Sequence, residues 1–189
     1  TASGTSSDPI TFTSNVANPG TAAGLWGGLI IMGDASVYGG TDEVEGITGY
    51  YYGGSDDDDN SGTLQYVRVW HGGAVIGADN EINGITFAGV GSGTTVEYCE
   101  VAFNLDDGFE WFGGTVNVTY AVLTNNDDDD IDFDEGYKGN IQYAIVRKNP
   151  DKASPSGSND PRGIEANSSD DEYVPETDAV LANVLVLGS

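Results

Sequence analysis

The chain has 189 residues, and six Lys plus Arg stand against 31 Asp plus Glu, a net charge of −25. That balance makes nucleic acid and anionic membrane surfaces poor partners, and the single cysteine, Cys99, excludes an intrachain disulfide. No apolar run is long enough to span a bilayer and no signal peptide is visible, so no membrane insertion is expected.

Residues 1–8 are small and polar and read as a flexible N-terminal tail, a mature end left by cleavage; residues 9–189 read as one domain. The first strand signal is Ile10-Thr11-Phe12-Thr13, and an apolar run, Leu29-Ile30-Ile31-Met32, follows. Next comes an acidic run, Asp56 to Asp59 with Asn60. Asp56, Asp58 and Asn60 alternate before Gly62 as in the front half of a calcium loop. Ser61 stands in place of the usual Gly there, and Val67 in place of the bidentate Glu.

From Gly62 onward the chain repeats itself. A short element (Ile85-Thr86-Phe87, Phe109-Glu110-Trp111, Ile131-Asp132-Phe133, Ile164-Glu165-Ala166) precedes a longer one built around Tyr66, Tyr98, Tyr120, Tyr143 and, in the last copy, Asn183. Phe109 and Ile131 lie 22 residues apart, and Tyr120 and Tyr143 lie 23 apart, a solenoid period. The longer intervals coincide with polar, Gly/Pro/Ser-rich stretches at Gly72 to Asn80 and Asn149 to Asp160, which read as loops inserted into a coil.

Both elements alternate apolar and polar residues between Gly, Asn and Asp, which is strand chemistry, and no window carries a helical stripe. Two or three short strands in about 22–24 residues make one turn of a parallel β-helix, and the length allows roughly eight turns. A β-sandwich of hairpins is the alternative, but it does not require one motif at one interval. Hydrophobic residues at 38% suit a narrow core, and the ten tyrosines are expected to supply much of its bulk.

Pro9-Ile10-Thr11-Phe12-Thr13-Ser14 and Gly24-Leu25-Trp26-Gly27-Gly28 through Gly33 resemble the secreted bacterial right-handed parallel β-helix repeat proteins. The resemblance continues through His71-Gly72-Gly73, Asp79 to Gly84, Gly89 to Thr94 and Asp106 to Thr115, and covers nearly the whole chain. It implies an all-β fold, a single right-handed parallel β-helix, and a secreted or cell-surface location. It implies no reaction.

In-register stacking of the short elements places Glu110, Asp132 and Glu165 in one column. Carboxylates about 4.8 Å apart repel, so the column calls for hydrogen bonds, raised pKa values or a cation. Calcium, with six to eight oxygen ligands, is the expected ion. Its candidate ligands are Asp127, Asp128, Asp130, Asp132 and Asp134, with Asp56, Asp58 and Asn60 as a second group. A third acidic stretch holds Asp160, Asp170, Asp171 and Glu172. The alternative for all three is a solvated acidic surface that keeps strands from pairing laterally.

Polysaccharide lyases and hydrolases are built on this architecture, and Asp106, Asp107, Glu110 and Asp132 offer carboxylate pairs for hydrolysis. Lyase chemistry wants a basic residue beside a metal-neutralised sugar acid, and Arg68, Lys138, Arg147, Lys148, Lys152 and Arg162 are scattered. His71 reads as a corner residue, Cys99 as a buried inert thiol and Trp111 as core, whereas Trp26 and Trp70 remain open between core and sugar platform. Asn117 and Asn167 open glycosylation sequons.

The chain closes on the apolar strand Val184-Leu185-Val186-Leu187 and opens on Ile10 and Phe12 with no capping helix, so these residues are expected to pair with further coils or with copies of the chain. The expected function is a non-enzymatic extracellular structural or adhesive module, in filament form if such pairing continues. The rival is a calcium-dependent polysaccharide-binding or polysaccharide-degrading β-helix.

Overall fold

The computed structural model describes residues 1–77, 80–150, 161–168 and 173–188, and all regular structure among them is strand. In chain order these are β1 (Ala2–Ser3), β2 (Ile10–Thr13), β3 (Leu29–Met32), β4 (Asp42–Glu43), β5 (Tyr51–Tyr52), β6 (Thr63–Gln65), β7 (Val67–Trp70), β8 (Val75–Gly77) and β9 (Asn80–Glu81). They continue as β10 (Ile85–Ala88), β11 (Thr95–Ala102), β12 (Phe109–Phe112), β13 (Asn117–Thr124), β14 (Ile131–Asp134), β15 (Asn140–Arg147), β16 (Ile164–Ala166) and β17 (Val180–Leu187).

Two parallel sheets face each other. The short-strand sheet runs β3-β10-β12-β14-β16, and the long-strand sheet runs β1-β6-β11-β13-β15-β17, with β2 and β7 forming its second half in the early coils. Each coil contributes one short and one long element, which is the parallel β-helix expected from the repeat. Among the described residues the long sheet has six layers rather than roughly eight, with much of the remaining length in insertions. Residues 33–62 carry the β4–β5 hairpin, and residues 71–84 carry β8–β9.

The core is the strip where the inward residues of both sheets meet. Ile85, Phe87, Phe109, Trp111 and Ile131 from the short strands are fully buried against Val67, Val69, Val101, Val118, Leu123, Ile141 and Val146. Phe87 and Trp111 stack at 5.3 Å, and Trp111 and Tyr137 at 5.2 Å, so aromatic bulk fills the centre. Trp111 is core, as its alternation with Glu110 indicated.

Most repeat tyrosines are not core. Tyr66, Tyr98, Tyr120 and Tyr143 adopt left-handed backbone, φ between 50° and 61°, and Asn183 does the same at 56°. Strand pairing skips each of them, so every long strand bends there and the side chain leaves the core. A left-handed L-residue costs roughly 1–2 kcal/mol. The rings recover part of this by stacking on one another at 4.5, 4.5 and 4.9 Å, each pair being worth about 0.5–1.5 kcal/mol.

Residues 1–8 also depart from the expected loose tail. Ala2 and Ser3 pair with Leu64 and Gln65, Gly4 donates its N–H to the Gln65 carbonyl, and Thr5 and Asp8 bridge, so this segment is the first half of the first long element.

Candidate functional site

Three successive turns lead into the short-strand sheet: residues 82–84 before β10, 103–108 before β12 and 125–130 before β14. Stacking is enforced by backbone bonds from Gly84 N to Asp107 O, from Gly108 N to Asp129 O and from Phe109 N to Asp130 O. Asn104 donates its side-chain amide to Asp107 O and its backbone N–H to Asn126 Oδ1, and Asn126 donates to Asp130 Oδ1. Gly108 is required by space, since a Cβ there would sit 2.6 Å from the Asp130 carbonyl oxygen. The acidic residues of consecutive turns are thereby superposed.

Beside these turns the outward face of the short sheet carries the expected column. Thr86, Glu110, Asp132 and Glu165 are register partners in consecutive coils. One carboxylate oxygen from each of Asp107, Glu110 and Asp132 lies within 4.8 Å of the others, and Asp106, Asp107 and Asp128 form a second such group. Asp107 belongs to both. Asn83, buried to 3% exposure, donates its amide nitrogen to Glu110 Oε2, while its Oδ1 has no hydrogen-bond partner. Asp132 Oδ1 is likewise buried without one.

Carboxylates held this way resist ionisation. Burial, then Asp128 and Glu81, push Asp106 up to about 7. Burial and Glu110 hold Asp107 well above the usual range, and burial and Asp132 do the same to Glu110. Asp132 is raised to about 6 by burial and Glu165, and Asp129 to about 8 by burial and its contact with Glu165. Asp129 also accepts the backbone N–H of Arg162.

These groups suit a hard divalent cation. All the donors are oxygens, two of them (Asn83 Oδ1 and Asp132 Oδ1) are orphaned and buried, and none of the three clustered carboxylates is ion-paired among the described residues. Asp107, Glu110 and Asp132 form one candidate set, with Asn83 bound to Glu110 through its amide nitrogen.

The other sequence-derived candidates are distributed differently. Asp130 lies apart from that set, paired with the nearly buried Lys148 at 3.3 Å and raised only to about 6 by burial working against that lysine. Asp127 is buried and donates its N–H to the Asn104 carbonyl; Asp134 accepts the Glu135 N–H at 2.6 Å. Asp56, Asp58 and Asn60 cap turns, accepting from Asp58 N, Ser92 Oγ and Gly62 N respectively. Asp160, Asp170, Asp171, Glu172 and Lys152 lie outside the described residues.

Glu165 forms an ion pair with Arg162, and Arg68 pairs with Glu100 at 3.2 Å. Asn117 accepts the Asn140 N–H, and Asn167 is exposed. Ile10 and Phe12 pair with Val67 and Val69, and Val184 and Val186 with Ala144 and Val146. Cys99 is buried with its thiol pushed up to about 12 by burial, and His71 sits at a left-handed corner with Nδ1 2.7 Å from the Ala22 carbonyl. Trp26 donates to the Trp70 carbonyl and Trp70 to Glu100, both half-buried.

Asn83 is the site residue the sequence did not indicate. Its only signal is position, the turn residue before Gly84 where later coils carry Asp107 before Gly108 and Asp129 before Asp130.

The entire chain, residues 1–189, matches the family described as pectate-lyase-like beta helix domain. Neither the curated proteins nor the solved structures gave a match. The coiled fold and the full-length match agree, and the chain belongs to the pectate-lyase-like beta-helix family.

Proposed function

We propose that this chain is an extracellular, cation-dependent polysaccharide-binding β-helix. Asp107, Glu110 and Asp132, aided by Asn83, hold a calcium ion that neutralises the cluster and offers remaining coordination positions to the carboxylates of an acidic glycan. The observation that carries this reading is the convergence of three raised-pKa carboxylates on one another, one of them bound by the buried Asn83 amide. Family membership supports polysaccharide as the ligand class. This is the rival reading of the sequence, a calcium-dependent polysaccharide-binding β-helix, in place of the expected structural or adhesive module.

Cleavage is a second reading, favoured by Asp106. At about 7, its carboxyl is still half protonated near neutrality beside Asp107, as a general acid requires. Co-sedimentation with an insoluble acidic polysaccharide, in calcium and in chelator, tests binding. Retention only with calcium, and its loss in Glu110→Gln, is expected; equal retention in chelator refutes the proposal. Reducing-end and unsaturated-product assays on the same samples decide whether bonds are broken.

A further inference from the structure

On the other sheet, a groove of about 610 Å³ runs across the coils between two outward columns. One wall is Tyr66, Tyr98, Tyr120 and Tyr143. The other includes Val122, Ile145 and Leu185, and the small residues Cys99, Ala121 and Ala144 lie beneath. Both walls are solvent-exposed: Tyr120, Tyr143, Ile145 and Leu185 retain 42–50% of their surface. A continuous apolar strip of this kind marks an interaction site rather than ordinary surface.

The shape of the strip selects its occupant. The four rings lie within 13° of parallel and 4.5–4.9 Å apart, so each ring covers the face of the next and the wall shows edges along about 14 Å. A pyranose recognised by aromatic residues needs an open ring face, and here the faces are used up. A flat aromatic molecule lying along the axis meets ring edges on one side, the favoured edge-to-face arrangement, and aliphatic side chains on the other.

Charge narrows the class further. The guanidinium of Arg68 is taken by Glu100 at 3.2 Å and stands over Trp70; Glu97, next to Tyr98 in sequence, accepts from Gln65; and the chain carries −25 overall. We propose that the groove beside the tyrosine column binds elongated planar aromatic molecules, neutral or cationic, along the solenoid axis. The site is separate from the acidic cluster and does not depend on it.

Thioflavin T, a flat elongated aromatic cation, is the probe, titrated by fluorescence against the intact chain, with a planar stilbene disulfonate as its anionic counterpart. Saturable uptake of one dye per chain is expected, with at least tenfold weaker uptake of the anion. Tyr120→Asn keeps the corner, because Asn183 occupies the equivalent left-handed position, and should weaken dye binding at least tenfold. Val122→Arg puts a positive charge into the groove without touching a corner and should do the same. Asp132→Asn, in the acidic cluster, should leave dye binding unchanged. Absence of saturable uptake, equal uptake of the anion, displacement of the dye by neutral glycans, or binding unmoved in both groove variants overturns the proposal.

Discussion

Asp107 Oδ1 accepts the backbone N–H of Asp129 at 2.9 Å, which ties the acidic turn of one coil to that of the next. The bond holds in place two side chains whose charges repel. Stacking therefore builds electrostatic tension into the site, which protonation relieves and which a cation, as proposed, would relieve in its place.

Removing one charge should substitute for the cation in part. Glu110→Gln is expected to stabilise the cation-free protein, since burial and the neighbouring Asp132 both oppose ionisation of that carboxyl. It should also shrink the stability gained on adding calcium. Urea unfolding in chelator and in calcium measures both.

The pH dependence follows from the same groups. Asp106 and Asp129 titrate near 7 and 8 in the folded chain against 3.8 for an ordinary aspartate, so the folded state holds more protons between those limits. Their contribution is fully present below pH about 4 and is lost as pH rises through 7 to 8. The melting temperature in chelator should fall over this range. Calcium, which displaces the protons, should flatten or reverse the trend.

Lys148 anchors the turn that carries the acidic run. Its side chain is only 11% exposed, and its ammonium reaches Asp130 Oδ2 at 3.3 Å and donates to the carbonyls of Asn126 and Asp128. Lys148→Met leaves Asp130 buried and uncompensated, with an expected loss of about 3 kcal/mol above pH 6. The loss should diminish below that pH as Asp130 protonates. Denaturant titrations at pH 5 and pH 8 check the difference.

Gly108→Ala tests the stacking itself. The added methyl meets the Asp130 carbonyl, so the turns must separate at a cost of about 1–3 kcal/mol. Weaker calcium binding should accompany the lower stability, read by a thermal melt with and without the ion.

The fold was readable because a solenoid converts sequence period into strand register. Glu110, Asp132 and Glu165 fall opposite one another because their segments recur at nearly constant spacing up to Asp132 and are realigned past the insertion by Ile164 facing Ile131. The outward tyrosines were not readable from alternation, which assumes extended backbone throughout. A left-handed residue in mid-strand resets inside and outside, and Asn183 in a tyrosine's place was the one hint of such a corner. Asn83 and Asp107 escaped the ladder because they sit in turns, where side-chain direction follows local hydrogen bonds rather than strand period.

The most direct test is a calorimetric calcium titration at neutral pH in two buffers of different ionisation enthalpy. The account predicts saturable binding with proton release in the native chain, and loss of both in Asp107→Asn and Glu110→Gln. Absence of saturable binding, or binding unchanged in both variants, would contradict it.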